Sequence, residues 1–227
     1  MATTTSRSIP RTAPLEQGDH LTRDEFERRY EAMPGVKKAE LIEGIVHMPS
    51  PVRIDSHASP HARLIWWLSH YCVFTPGLDV ADNGTVRLDE TNEPQPDATL
   101  FVASGGQAEL SGDDYLEGGP ELVAEISAST ASIDLHEKLE SYRRNGVREY
   151  LVWRVLDDEI DWFVLRRNRY VKLVPVAGIL RSPNFPGLWL DPAAMIRNDR
   201  LEALRSLEAG LATPGHAAFV GKLSKEN

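Results

Sequence analysis

Pro96-Asp97-Ala98-Thr99-Leu100-Phe101-Val102 and Glu121-Leu122-Val123-Ala124-Glu125-Ile126-Ser127 read as two strands, and each carries an acid where a strand meets the interior. Asp97 stands at the mouth of the first. Glu125 sits between Ala124 and Ile126 in a segment with apolar residues on both faces, as in a central strand. Residues 134–145 follow as a helix, with Asp134 and Glu137 suited to its N-terminal cap and Gly146 to its C-terminal cap. On a 3.6-residue period Lys138 shares one face with Leu135, Leu139 and Tyr142. A further strand at 149–155 closes a strand–helix–strand unit long enough to join parallel strands. The expected class is α/β, a mixed sheet flanked by helices. A carboxylate in a buried strand is costly unless something cationic meets it, and here a lysine points the same way.

Outward from this unit, residues 1–19 are polar and Pro-containing and are expected to be disordered. A helix should start at Thr22, where Glu25 completes a capping box, and end before Pro34. Strands at 38–42 and 45–48 should turn at Glu43 and Gly44. A helix over 57–73 carries Leu64, Ile65, Trp67, Leu68 and Tyr71, and short strands lie near 78–81 and 85–88. Residues 103–119 read as a Gly-rich acidic surface loop. Strands at 161–165 and 170–175 follow, and residues 199–223 read as two short helices with a stripe of Leu201, Leu204, Leu207 and Leu211. The domain expected is 20–192, with 193–227 as a helical extension.

Composition narrows the function. The chain has 227 residues, 41% hydrophobic and 26% charged, enough for one sizeable core. A formal charge of −9 gives no global attraction to nucleic acid, so any such binding needs a local patch such as Arg143, Arg144, Arg148, Arg154, Arg166, Arg167 and Arg169. By count alone those arginines are a solvated face. Cys72 is the one cysteine, which excludes an intrachain disulfide and fits a reducing compartment. No apolar run suits a signal peptide or a membrane span, so the cytoplasm is the default.

Taken singly, each candidate residue has a structural reading. Asp97 after a proline suits a turn, Glu125 suits a buried ion pair, Lys138 can snorkel outward, and Glu40 fits ordinary edge-strand alternation. Together they suit a metal-dependent phosphodiesterase: carboxylates hold a hard cation, the cation activates water, and a lysine steadies developing charge. His57 and His61 are four apart at a helix start, but the sequence shows no third ligand and no following glutamate, so zinc is not expected there. No Walker-type loop or Gly-x-Ser-x-Gly elbow is present.

Pro96 and Asp97, then Glu125 in a later strand, then a basic residue resemble the PD-(D/E)XK nuclease superfamily. More closely, the chain resembles the restriction-endonuclease-like family called Uma-two. The matching residues include Glu40 to Gly44, Met48 to Pro51 with His61 following, and Pro96 and Asp97. Glu125 to Ser129, Asp134, Lys138, Tyr142, Gly146, Val147, Glu149 and Tyr150 complete them, over roughly 20–192. The resemblance implies a restriction-endonuclease-like core and a DNA endonuclease using Mg2+, with Mn2+ as the alternative. It implies Asp97, Glu125 and the Ile126 carbonyl as metal ligands, Glu40 and Lys138 as further catalytic residues, and His61 and Tyr142 beside substrate. One departure stands out: the superfamily pattern has lysine two residues after the strand glutamate, where this chain has Ser127. Lys138 would then replace it from the next helix. The rival reading is a catalytically silent module that binds nucleic acid or protein, and the leucine stripe leaves a homodimer open.

Overall fold

The computed structural model describes residues 12–48 and 52–226. Its centre is a six-stranded sheet in the order Arg169–Lys172, Glu159–Arg166, Glu149–Arg154, Leu122–Ser127, Ala98–Val102 and Leu78–Asp82. Leu122–Ser127 and Glu149–Arg154 run parallel, and the other neighbours are antiparallel. A parallel pair needs a crossover, and residues 131–144 supply it as a helix. The mixed sheet with flanking helices is the architecture that the strand–helix–strand order implied.

Strand alternation decides where Glu125 points. All six residues of Leu122–Ser127 are buried. Leu122, Ala124 and Ile126 pack into the main core with Leu64, Trp67 and Leu68 of helix Ser59–Val73. Val123, Glu125 and Ser127 face the opposite side, where Val123 clusters with Tyr142, Tyr150 and Val152. Glu125 therefore lies on the side covered by residues 131–144.

Glu40 comes from a separate hairpin, Glu40–Ile42 with Ile45–His47. Its turn residues Glu43 and Gly44 have φ of 52° and 74°, the left-handed pair that a two-residue hairpin turn requires. Leu41 and Val46 pack with Phe26 of helix Arg23–Glu31 and with Leu15. Two expectations change here. Within the stretch expected to be disordered, residues 1–11 lie outside the described residues, but Leu15 is buried and the Gly18 N–H donates to the Val46 carbonyl at 2.9 Å. An apolar side chain under the hairpin ties down a segment whose average composition is polar. The capping box is also missing: Thr22 makes no side-chain cap, and Glu25 instead pairs with Arg28 and Arg29, each at 2.7 Å.

Glu93 is bound to Leu41 by two backbone hydrogen bonds and is buried near Glu27. Burial, then the Glu27 carboxylate, pushes its carboxyl up to about 8 against the pull of Arg87 and Arg23. The folded chain thus keeps a proton that an unfolded one releases above about 4.5. Its stabilising share is complete below that value and is lost as pH rises through about 8. Glu93→Gln should flatten this decline, gaining roughly 1–3 kcal/mol on the wild type between about pH 5 and pH 9. Urea midpoints at the two pH values read it, and parallel curves would refute it.

Residues 103–119 are not a featureless loop. Glu109–Leu110 and Leu116–Glu117 join Val86–Arg87 in a small three-stranded sheet. At the C-terminus, helices Pro192–Ile196, Arg200–Leu211 and Pro214–Glu226 cover the main core, into which Leu207 and Leu223 pack. The expected stripe is rotated: Leu201 is 59% exposed, and Ala203, Leu207 and Gly210 form the buried face. Gly210 is what allows this helix to close. An added Cβ would lie 2.2 Å from the Gly187 carbonyl oxygen and 2.8 Å from the Trp189 ring. Gly210→Ala should destabilise by roughly 1–3 kcal/mol, although alanine is the better helix former by about 1 kcal/mol. A stability gain on denaturant unfolding would contradict the close approach.

Candidate functional site

Asp97 enters the sheet one residue before its strand. The pairing of Ala98 with Ala124, continued by one position, sets Asp97 across from Glu125 on the same face. Its Oδ2 accepts the Ile126 N–H at 2.7 Å, which fixes the carboxylate. Its Oδ1 is buried and has no hydrogen-bond partner among the described residues, with His57 Nε2 at 3.3 Å and Lys38 Nζ at 4.0 Å. Burial alone would raise this carboxyl, but His57, Lys38 and the Ile126 N–H together hold it below the ordinary aspartate value.

The second half of the site centres on Lys138. The helix 131–144 contains one wide π turn, Asp134–Lys138, and the lysine at its end is 5% exposed. Lys138 Nζ donates to Glu125 Oε1 and to Glu40 Oε1, both at 2.9 Å, and Asp134 Oδ1 lies 4.0 Å away. The lysine is thus directed at the sheet. Tyr142, one turn on, donates its hydroxyl to Glu125 Oε1 at 3.0 Å. Glu40 also accepts the Gln95 N–H at 2.8 Å.

One ammonium among three carboxyls divides the protons unevenly. Burial, with Asp97, Asp134 and Glu40 adding to it against Lys138, pushes Glu125 up to about 8. Asp134 is likewise raised, first by burial. Glu40 ends below its ordinary value, since burial is outweighed by Lys138, Lys38 and the Gln95 N–H. Burial disfavours the Lys138 ammonium, but Glu125, Glu40 and Asp134 outweigh it and drive its pKa well above normal. At neutral pH the cluster holds the lysine charged and a proton on a carboxyl.

Several residues stand differently from the sequence reading. Tyr142, expected beside substrate, is 1% exposed and lies behind Glu125, where it orients that carboxylate. Asp134 is no N-cap: the helical stretch starts at Ala131, and Asp134 accepts from the Thr130 hydroxyl at 2.6 Å while facing Lys138. An Asp-x-x-Glu start and an inward i,i+4 pair with lysine share one local pattern. Ser127 is buried on the Glu125 face, as its spacing requires. His61 Nε2 is 2.8 Å from the Asp97 carbonyl oxygen and 3.2 Å from Asp82 Oδ1. Asp97 brings the third donor that the histidine pair lacks in sequence: one donor atom each from His57, His61 and Asp97 lie within 4.8 Å of one another. Pro49, Ser50 and Pro51 lie outside the described residues.

The proposed arginine patch is largely paired off. Arg143 binds Glu140, Arg144 binds Glu43, Arg148 binds Gln107, and Arg154 meets Asp157, Glu159 and Asp161. Arg166, Arg167 and Arg169 remain exposed at one hairpin turn. No helix among the described residues is long and apolar enough to cross a membrane.

The crystal structure of a "putative nuclease belonging to DUF820" from Anabaena variabilis superposes with a TM-score of 0.59 at 13% identity, covering 78% of this chain and 99% of that one. At that identity the likeness concerns the fold. No curated protein matches the chain. The Uma2 family, described as "putative restriction endonuclease", matches residues 23–193. Most of the chain, including each acid and the lysine of the site, falls within that match, and the chain belongs to the Uma2 family.

Proposed function

We propose that the chain is a divalent-cation-dependent endonuclease that hydrolyses DNA phosphodiesters at the sheet end carrying Asp97 and Glu125. Family membership supports a nuclease in general. The observation that carries the finer reading is the lysine reaching the strand glutamate from the next helix, 2.9 Å from its oxygen. The donors fit a cation: Asp97 offers a buried oxygen with no hydrogen-bond partner among the described residues, while the Ile126 N–H holds the other oxygen. Asp97 and Glu125 would hold Mg2+ or Mn2+, with the Ile126 carbonyl as a further oxygen. When bound, the cation supplies an acidified water and charge neutralisation at the phosphate.

The chain's own residues do the rest. Lys138 carries a fixed positive charge beside Glu125, suited to orient a water and to steady negative charge developing on phosphate oxygens. Glu40 and Asp134 keep that ammonium charged, and Tyr142 fixes the carboxylate it works with. The wide turn Asp134–Lys138 delivers the lysine from the helix, in place of one at the strand position that Ser127 occupies. The rival reading, a silent binding module, draws on Ser127 and on the charge of −9.

Titration of Mg2+ or Mn2+ into wild type and Asp97→Ala, with plasmid cleavage as readout, separates the two. Cation-dependent nicking by the wild type alone is expected. A folded wild type that binds plasmid without cutting it under either ion moves the binding module to first place, and cleavage of RNA alone would replace DNA as the substrate.

A further inference from the structure

His57 and His61 supply nitrogen donors that an all-oxygen magnesium site has no use for. We infer that both imidazoles ligate the cation at Asp97, so that the ion is a first-row divalent metal such as Mn2+, Co2+ or Zn2+. The catalytic use of that ion rests on the nuclease reading, but its binding does not.

Three observations carry the site. The donor atoms of His57, His61 and Asp97 already lie within 4.8 Å of one another, on three side chains that are buried or half-buried. Chain geometry sets this up. His57 lies in a wide turn, Ile54–Ala58, that leads into helix Ser59–Val73, and His61 follows four residues later with its ring 5.8 Å away. Next, Asp97 presents Oδ1 alone, because the Ile126 N–H holds Oδ2, and Oδ1 faces His57 Nε2 at 3.3 Å. His57 Nδ1 is also buried, with no hydrogen-bond partner among the described residues.

The third observation concerns His61. A carbonyl only accepts, so Nε2 at 2.8 Å from the Asp97 carbonyl must carry the shared proton. A cation replacing that proton gains a nitrogen and a carbonyl oxygen that already stand side by side. Asp82 Oδ1, 3.2 Å from the same nitrogen, adds negative charge at the rim. Lys38 opposes a cation from 4.0 Å, but its side chain is 24% exposed and its ammonium also donates to Asn83, so it can turn outward. Two imidazoles and one carboxylate leave coordination positions open for water and phosphate, and this donor mix selects transition ions over Mg2+.

The test uses the full chain stripped of metal with a chelator, and the probes are Mn2+, Co2+ and Mg2+ alone. Calorimetry should show Mn2+ and Co2+ binding at least about tenfold tighter than Mg2+. His57→Asn and His61→Asn should each weaken Mn2+ by about tenfold or more. Pulsed electron paramagnetic resonance of the Mn2+-loaded wild type should show coupling to imidazole nitrogen, a readout that needs no variant to fold. Absence of nitrogen coupling, or Mn2+ affinity unchanged in both folded variants, would overturn the site. Tight, nitrogen-coordinated Mn2+ with no cleavage of DNA would leave it standing and remove the nuclease reading instead.

Discussion

Lys138→Met should abolish DNA cleavage and make the stability of the metal-free chain steeply dependent on pH. The thioether keeps the apolar stem, so the buried volume that the lysine occupies stays filled. What goes is the charge between Glu40, Glu125 and Asp134. Removing one partner of a buried ion pair costs about 3–5 kcal/mol when the other stays charged. The three carboxyls can avoid that cost only by taking up protons, which raises their folded pKa values. A raised carboxyl stabilises fully below its unfolded value and loses that share as pH rises through the folded one. The variant should therefore stand close to the wild type near pH 5 and fall away from it toward pH 8. Thermal melts at the two values read this, and added Mn2+ should recover part of the loss. Loss of the ammonium that steadies the reacting phosphate should cost about 100- to 1000-fold in rate, even where the variant is folded. A methionine variant that cuts DNA like its parent would show that Lys138 is only a structural counterion.

Asp97→Asn should be the cleaner loss of function. Asparagine keeps an oxygen to accept the Ile126 N–H, so the bond at 2.7 Å and the strand entry are retained. It gives up the anionic oxygen that faces His57 and Lys38. Metal activation is worth several kcal/mol, so cleavage should drop by about a thousandfold or more while the melting temperature moves little. Because burial disfavours the charged aspartate while His57 and Lys38 favour it, removing that charge has opposing effects on folding that largely cancel. A loss of activity that tracks a loss of folded protein would point to a structural role instead.

The part of the site legible in the sequence rests on local periods. Alternation along Leu122–Ser127 and the 3.6-residue stripe of Leu135, Lys138, Leu139 and Tyr142 each fix a side-chain direction from neighbours in the chain. The crossover geometry then forces the two faces together, and Lys138 meets Glu125. The same reasoning identified the mixed sheet. It stopped where contact depends on how distant elements dock. Nothing near His57 or His61 announces Asp97, which comes from the entry to a distant strand, and the wide turn at Ile54–Ala58 that aims His57 leaves no compositional trace. Nor does a list of arginines show which are already bound to acids, as Arg143, Arg144 and Arg154 are. Local pattern alone cannot tell a cap from a buried acid four residues before a lysine, which is why the sequence places Asp134 at a helix cap.

The most direct test of the central claim is single-turnover cleavage of supercoiled plasmid by purified wild type, with Mn2+ or Mg2+ and with chelator, beside Asp97→Asn prepared identically. Nicked or linear product that needs the cation and disappears with Asp97→Asn is expected. No product from folded wild type with either ion, or product that persists unchanged in Asp97→Asn, would contradict the account.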